Sequence, residues 1–240
     1  MLSLYIDMQG DPCYVNPGDG DAGRMYPTNP DLRVVDVTYG MMSELVGLWA
    51  DPGGVIPPEI YALSPDYTRH DVFMGGSFPS ELLGDGEGKI SPHAERLRAL
   101  DISALGVDSG LLFVLESDGS TSELEVINFW VDLIGMTTTF ESATTVPLGS
   151  CEAVDLAIMM YNISYLPNPD SDTIVVLVQG SSGGLLKMYD SMDFSLVEEI
   201  GSDSDPAIPG TAAALDIDNA MTQLVVINEE DTAVVFSWVV

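Results

Sequence analysis

The sequence predicts an all-β fold. Three observations carry that expectation: short runs rich in Val, Ile, Leu, Phe and Trp recur along the chain, Gly-, Ser- and Asp-rich stretches separate them, and almost nothing reads as helix. An apolar fraction of 46% across 240 residues supplies a real core, so the chain is globular despite its charge.

Taken in order, Leu2-Ser3-Leu4-Tyr5-Ile6-Asp7 is the first candidate strand. A recurring tetrapeptide then opens four copies of a longer pattern: Val34-Val35-Asp36-Val37, Ala99-Leu100-Asp101-Ile102, Ala153-Val154-Asp155-Leu156 and Ala214-Leu215-Asp216-Ile217. Starts at 34, 99, 153 and 214 give intervals of 65, 54 and 61 residues. A second β-rich run follows each, at residues 44–49, 111–116, 173–178 and 223–228. Third runs lie at 59–63, 123–130, 185–190 and 232–238. Weaker fourth runs close the first three copies at 71–74, 136–140 and 195–200, whereas the last copy stops at Val240 after its third. Ser-Asp-Gly-Ser, Ser-Ser-Gly-Gly and Glu-Glu-Asp-Thr between the runs are hairpin chemistry. The one short helical turn expected is at residues 92–97.

Repeated units of four antiparallel strands, each too thin to bury both faces alone, are propeller blades stacked around an axis. The expectation is a single domain over residues 1–240: a small β-propeller of four or five four-stranded blades, with repeats near 32–90, 97–149, 151–210 and 211–240, the last completed by residues 1–10. The N-terminal strand then closes the last blade; otherwise the blades form an open arc that a second copy or another protein completes. A two-sheet β-sandwich uses the same strands and is the alternative. The stretch Ala213-Ala214-Leu215-Asp216-Ile217-Asp218, through Leu224-Val225-Val226-Ile227-Asn228 to Thr232-Ala233-Val234-Val235-Phe236, resembles a YVTN- or NHL-type β-propeller repeat, most clearly over residues 97–240. That resemblance implies a fold and no particular chemistry.

Seven Lys and Arg stand against 38 Asp and Glu, a net charge of −31. Polyphosphate binding works by Lys and Arg displacing condensed counterions, so nucleic acid and anionic membrane are excluded as direct partners. No run reaches the roughly 18 apolar residues of a membrane span, and the first residues lack a signal peptide's basic and apolar regions. With 24 Asp and only two Lys, such a surface suits a high-salt or marine setting, or a Ca²⁺-rich extracellular one.

The recurring Asp36, Asp101, Asp155 and Asp216 are the first candidate site. Were they to face the axis, four converging carboxylates would repel unless a cation sat among them, and hard oxygen ligands suit Ca²⁺ or Mg²⁺. The other reading has each Asp accept hydrogen bonds from backbone N–H groups of a turn or of the neighbouring blade. The loops Asp19-Gly20-Asp21, Asp170-Ser171-Asp172 and Asp203-Ser204-Asp205 lack the remaining ligands of a Ca²⁺ loop and read as solvated turns.

Gly180-Ser181-Ser182-Gly183-Gly184 matches G-x-S-x-G after a strand, and a helix over residues 185–200 would complete a nucleophile elbow. His70 and His93 both precede that serine, against the hydrolase order, so the stretch reads as a glycine-rich hairpin. Two histidines are too few for a zinc site. Cys13 and Cys151 are either two separate thiols or one disulfide. Trp49, Trp130 and Trp238 sit at strand ends, where they pack between blades or stack on a glycan. Asn162-Ile163-Ser164 is a glycosylation sequon.

The sequence thus points to a non-catalytic binding or assembly module whose partners are other protein subunits, a second copy or a glycan, on a cell surface, in an extracellular assembly or in a virion. Its loops 50–58, 64–94 and 159–172 would meet the partner. A metal-dependent, lactonase-like propeller hydrolase is the competing class.

Overall fold

Apolar, β-branched runs joined by short polar turns pair most cheaply with their neighbours in sequence, because closing a short loop costs little chain entropy. The computed structural model of the chain follows that rule. It describes residues 3–6, 12–15, 22–24, 31, 33–39, 45–51, 59–63, 76–77, 97–104, 109–132, 137–159, 172–217 and 223–237. Among these no residue is helical.

Strands β1 (Ser3–Ile6), β2 (Pro12–Val15) and β3 (Ala22–Arg24) form the first sheet. The second holds β4 (Arg33–Tyr39), β5 (Leu45–Ala50), β6 (Glu59–Leu63) and β7 (Gly76–Ser77). The third holds β8 (Leu97–Ala104), β9 (Ser109–Ser117), β10 (Ser122–Asp132) and β11 (Thr137–Gly149). In the fourth, β12 (Glu152–Met159), β13 (Thr173–Gln179), β14 (Gly183–Asp190) and β15 (Leu196–Ile200) are joined by β16 (Ile208–Pro209), which pairs with β14. Strands β17 (Ala212–Ile217), β18 (Gln223–Asn228) and β19 (Ala233–Ser237) make the fifth.

Among the described residues, five small sheets of mostly consecutive strands form where a sandwich would gather the same strands into two. Among those residues the last sheet holds β17, β18 and β19, and the N-terminal β1 pairs with β2, in register from Ser3↔Val15 to Ile6↔Pro12. The physical reason is proximity: residues 7–11 alone separate β1 from β2, so the hairpin closes first and cheaply. The fourth run expected at 71–74 and the helical turn over residues 92–96 lie outside the described residues, and β8 begins at Leu97.

Two compact units divide the chain: Met1–Val114 with Glu125–Thr145, and Leu115–Leu124 with Val146–Val240. In the first, Leu48 and Ala50 of β5 and Leu97 and Ala99 of β8 are buried. In the second, one core joins the fourth and fifth sheets: Met159, Val175, Leu177, Leu186 and Met188 meet Leu215, Leu224 and Val226. Strand β13 is buried from Thr173 to Val178, and its sequence is accordingly a continuous apolar run with no alternation. Strand β19 alternates exposed and half-buried positions, the pattern of a sheet covered on one face.

The first strand of each of three sheets carries a register shift: between Val34 and Asp36 in β4, Ala153 and Asp155 in β12, and Ala212 and Ala214 in β17. Close packing also fixes a glycine. A Cβ on Gly183 would lie 2.1 Å from the Ile208 carbonyl oxygen, so β16 reaches β14 only because that position has no side chain.

Candidate functional site

The four recurring aspartates all fall in the first strand of their sheets: Asp36 in β4, Asp101 in β8, Asp155 in β12 and Asp216 in β17. Asp36 and Asp101 belong to the first unit, Asp155 and Asp216 to the second. In the first, the Thr38 hydroxyl of β4 donates to Asp101 Oδ1 at 2.7 Å, so the carboxylate spans two sheets. In the second, Asp155 does the same with backbone. Its Oδ1 accepts from the Leu156 N–H and its Oδ2 from the Leu215 N–H of β17, both at 2.8 Å. Asp216 repeats the local half of that arrangement, accepting from the Ile217 N–H at 2.7 Å, and is exposed.

Register shifts explain why alternation alone does not place these side chains. One extra residue just before Asp36 and Asp155 changes which face follows, so a carboxylate expected opposite its neighbours is turned beside the next strand. Among the described residues no three His, Cys, Asp or Glu side chains gather closely enough to hold a metal ion. What the geometry does show for Asp101 and Asp155 is a hydrogen-bonding clasp between sheets.

Two further clasps had no counterpart in the sequence reading. Gln179, at the end of β13, accepts the Ala212 N–H on Oε1 at 2.7 Å and donates from Nε2 to the Gly180 carbonyl at 2.8 Å. Ser122, buried at the start of β10, accepts the Ala153 N–H at 2.9 Å and donates to the Cys151 carbonyl at 2.8 Å. Gln179 thereby satisfies the first backbone donor of β17, and Ser122 does the same near the start of β12. Asn228 ends β18 in the same style, donating to the Pro209 carbonyl at 2.7 Å and accepting from the Glu230 and Thr232 N–H groups. The available signal was a single polar residue closing or opening an apolar run just beside a turn.

The G-x-S-x-G stretch is a hairpin and not an elbow. The Gly180 N–H donates to the Gly183 carbonyl at 2.8 Å, and β14 follows as a strand where the elbow needs a helix. Ser182 Oγ donates to the Asp203 carbonyl, and the Ser181 N–H donates to Asp203 Oδ1 at 2.9 Å. Hydrogen bonds from the Ser181 backbone and side chain hold the exposed Asp203 carboxyl below the usual range. Asp203 therefore braces a turn, as its loop predicted. Asp118 braces the β9–β10 turn likewise, where bonds from Thr121 and Ser120 lower its carboxyl strongly.

Cys151 is a free thiol, donating weakly to the Leu148 carbonyl at 3.6 Å. Tyr189 is buried in β14, and burial, with Cys151 and Glu199 nearby, pushes its phenol up to about 12. Glu125, 2% exposed, accepts from the Thr145 hydroxyl at 2.5 Å. Residues His70, His93, Asn162, Ser164, Trp238, Asp19, Asp21 and Asp170 lie outside the described residues, as do loop residues 52–58, 64–75, 78–94 and 160–171.

No protein-family model matches the chain, and no curated protein matches it in sequence. Solved structures do match. The β-propeller domain of Cps50 (Swd1) from Myceliophteria thermophila is similar with a TM-score of 0.55 and 9% identity, over 98% of this chain and 66% of that one. The Dos1 propeller is similar with a TM-score of 0.50 and 11% identity, over 99% of this chain and 52% of that one. At such identities the likeness is one of fold, and the chain spans less than two thirds of either propeller's length.

Proposed function

We propose, from the premise that the fold is a β-propeller, that this protein is a non-catalytic binding and assembly module, joining other protein subunits in a cell-surface, extracellular or virion assembly. One observation carries the reading. Several of the polar side chains that recur or sit beside turns tie neighbouring sheets together, as in Asp155 to Leu215, Gln179 to Ala212 and Thr38 to Asp101. A group already saturated by backbone donors serves rigidity better than it serves proton transfer or nucleophilic attack. The serine with the nearest likeness to a nucleophile gives its proton to a backbone carbonyl.

The charge of −31 supports protein partners over nucleic acid and fits a salty milieu. The test is the native mass of tagged protein purified from its natural source. A stable complex with another protein, well above the 25.7 kDa of one chain, is expected. A lone monomer that hydrolyses lactones or esters, with activity lost to a chelator and restored by Ca²⁺ or Mg²⁺, would overturn the proposal and install the hydrolase in its place.

A further inference from the structure

Sheet edges are hazards that folded proteins guard with short strands, charges, Pro or bulges. Four outer strands here follow that practice. Strand β3 has three residues and ends in Arg24, and β7 has two. Strand β11 carries Glu141 and Pro147. Strand β15 carries Glu198 and Glu199 and pairs through a register shift.

Strand β19, Ala-Val-Val-Phe-Ser, has none of these guards, and its register with β18 is unbroken. It is the outermost strand of a three-stranded sheet among the described residues. The direction of its free groups follows from the ladder. The Asn228 N–H donates to the Thr232 carbonyl, and bonded pairs alternate along an antiparallel ladder, so the N–H and C=O of Ala233, Val235 and Ser237 point away from β18. Val234 and Phe236 pack toward the core, while Val235 is 54% exposed and Ile227, across the same face, 41% exposed.

Charge decides which strand suits this edge. No Lys or Arg follows Lys187, while residues 188–240 contain eleven Asp and Glu, and the turn that leads into β19 is the exposed Glu229-Glu230-Asp231. A second copy would bring a further excess of 31 negative charges to that edge, whereas a basic segment gains Coulomb attraction along with its ladder bonds. We propose that the outer edge of β19 accepts an extended, Lys- or Arg-rich strand of a partner protein as the fourth strand of its sheet. The inference rests on the binding-module reading and names where and by what chemistry the partner attaches.

Fluorescence anisotropy with a synthetic peptide of alternating Lys and Val tests it, beside the same peptide N-methylated at alternate residues and a Glu-Val counterpart. Saturable binding by the Lys-Val peptide is expected, with affinity lower by about tenfold or more for the N-methylated form, which forfeits its ladder bonds, and no binding by the Glu-Val peptide. Val235→Pro removes an outward donor, and Val235→Lys leaves the strand intact but sets a like charge against the peptide. Both are expected to lose about tenfold or more in affinity. Equal binding of the N-methylated peptide would show charge attraction alone, and unchanged binding by Val235→Lys in a folded protein would put the peptide elsewhere; either overturns the proposal. Self-association in sedimentation that Val235→Lys abolishes would give the edge to a second copy and overturn it as well. A natural complex that survives Val235→Lys overturns the edge while sparing the module reading; the absence of any natural complex removes that reading, with the peptide result still deciding the edge.

Discussion

Asp155 and Asp216 occupy corresponding places in β12 and β17 yet carry different loads. Asp155 holds backbone donors of two sheets, whereas Asp216 accepts from the N–H of its own neighbour, Ile217. Asp155→Asn turns an amide N–H₂ toward a donor and is expected to cost about 2 kcal/mol in urea unfolding. Asp216→Asn, at an exposed site, is expected to stay within about 0.5 kcal/mol. Equal costs would remove the inter-sheet role. Tyr189 gives a pH prediction. Its phenol pKa rises on folding, so the native state holds the proton longer, and stability is undiminished below the ordinary value near 10 and falls as pH rises through about 12. An absorbance titration of wild type against Tyr189→Phe is expected to isolate that late step. The aspartates themselves were legible as a repeat. Their partners were not, because Leu215 lies 60 residues from Asp155 and the register shift before Asp155 changes the face that simple alternation assigns.

Among the elements, the β13–β14 hairpin and the β9–β10 turn show how one residue type serves two different needs. Gly183 is required by close approach, so Gly183→Ala is expected to push β16 off β14 and to cost about 2 kcal/mol or more. Gly119 is required only by its φ of +86°, with nothing within 4 Å of an added Cβ, so Gly119→Ala is expected to cost about 1 kcal/mol. Chemical denaturation of the two variants separates them. Long strands were readable from their apolar runs, as for β9, β13 and β18. The two-residue β16 was not, since Ile208-Pro209 has no pattern of its own and exists as a strand only because β14 offers it a glycine edge. The glycine-rich hairpin read around Ser182 is what forms, with Gly183 and Gly184 pairing with β16 at the start of strand β14.

At the scale of the whole molecule, composition and recurrence were enough for an all-β propeller, while the number and membership of the sheets were settled by pairings among nearby segments. The N-terminal strand is the clearest case, because its pairing with β2 follows from their nearness in sequence. A net charge of −31 implies self-repulsion within the folded chain. Raising NaCl from about 0.05 to about 1 M shortens the screening length severalfold and is expected to raise the melting temperature; a flat response would mean the carboxylates are locally compensated. The buried strand β13 sets the order in which the second unit comes apart. Its amides are paired on both sides and shut off from solvent, whereas β15 and β19 each lie at the outer edge of a sheet. In deuterium exchange, β13 is therefore expected to take up label only when the unit opens globally, making it the internal clock against which every local breathing motion of the edges can be timed.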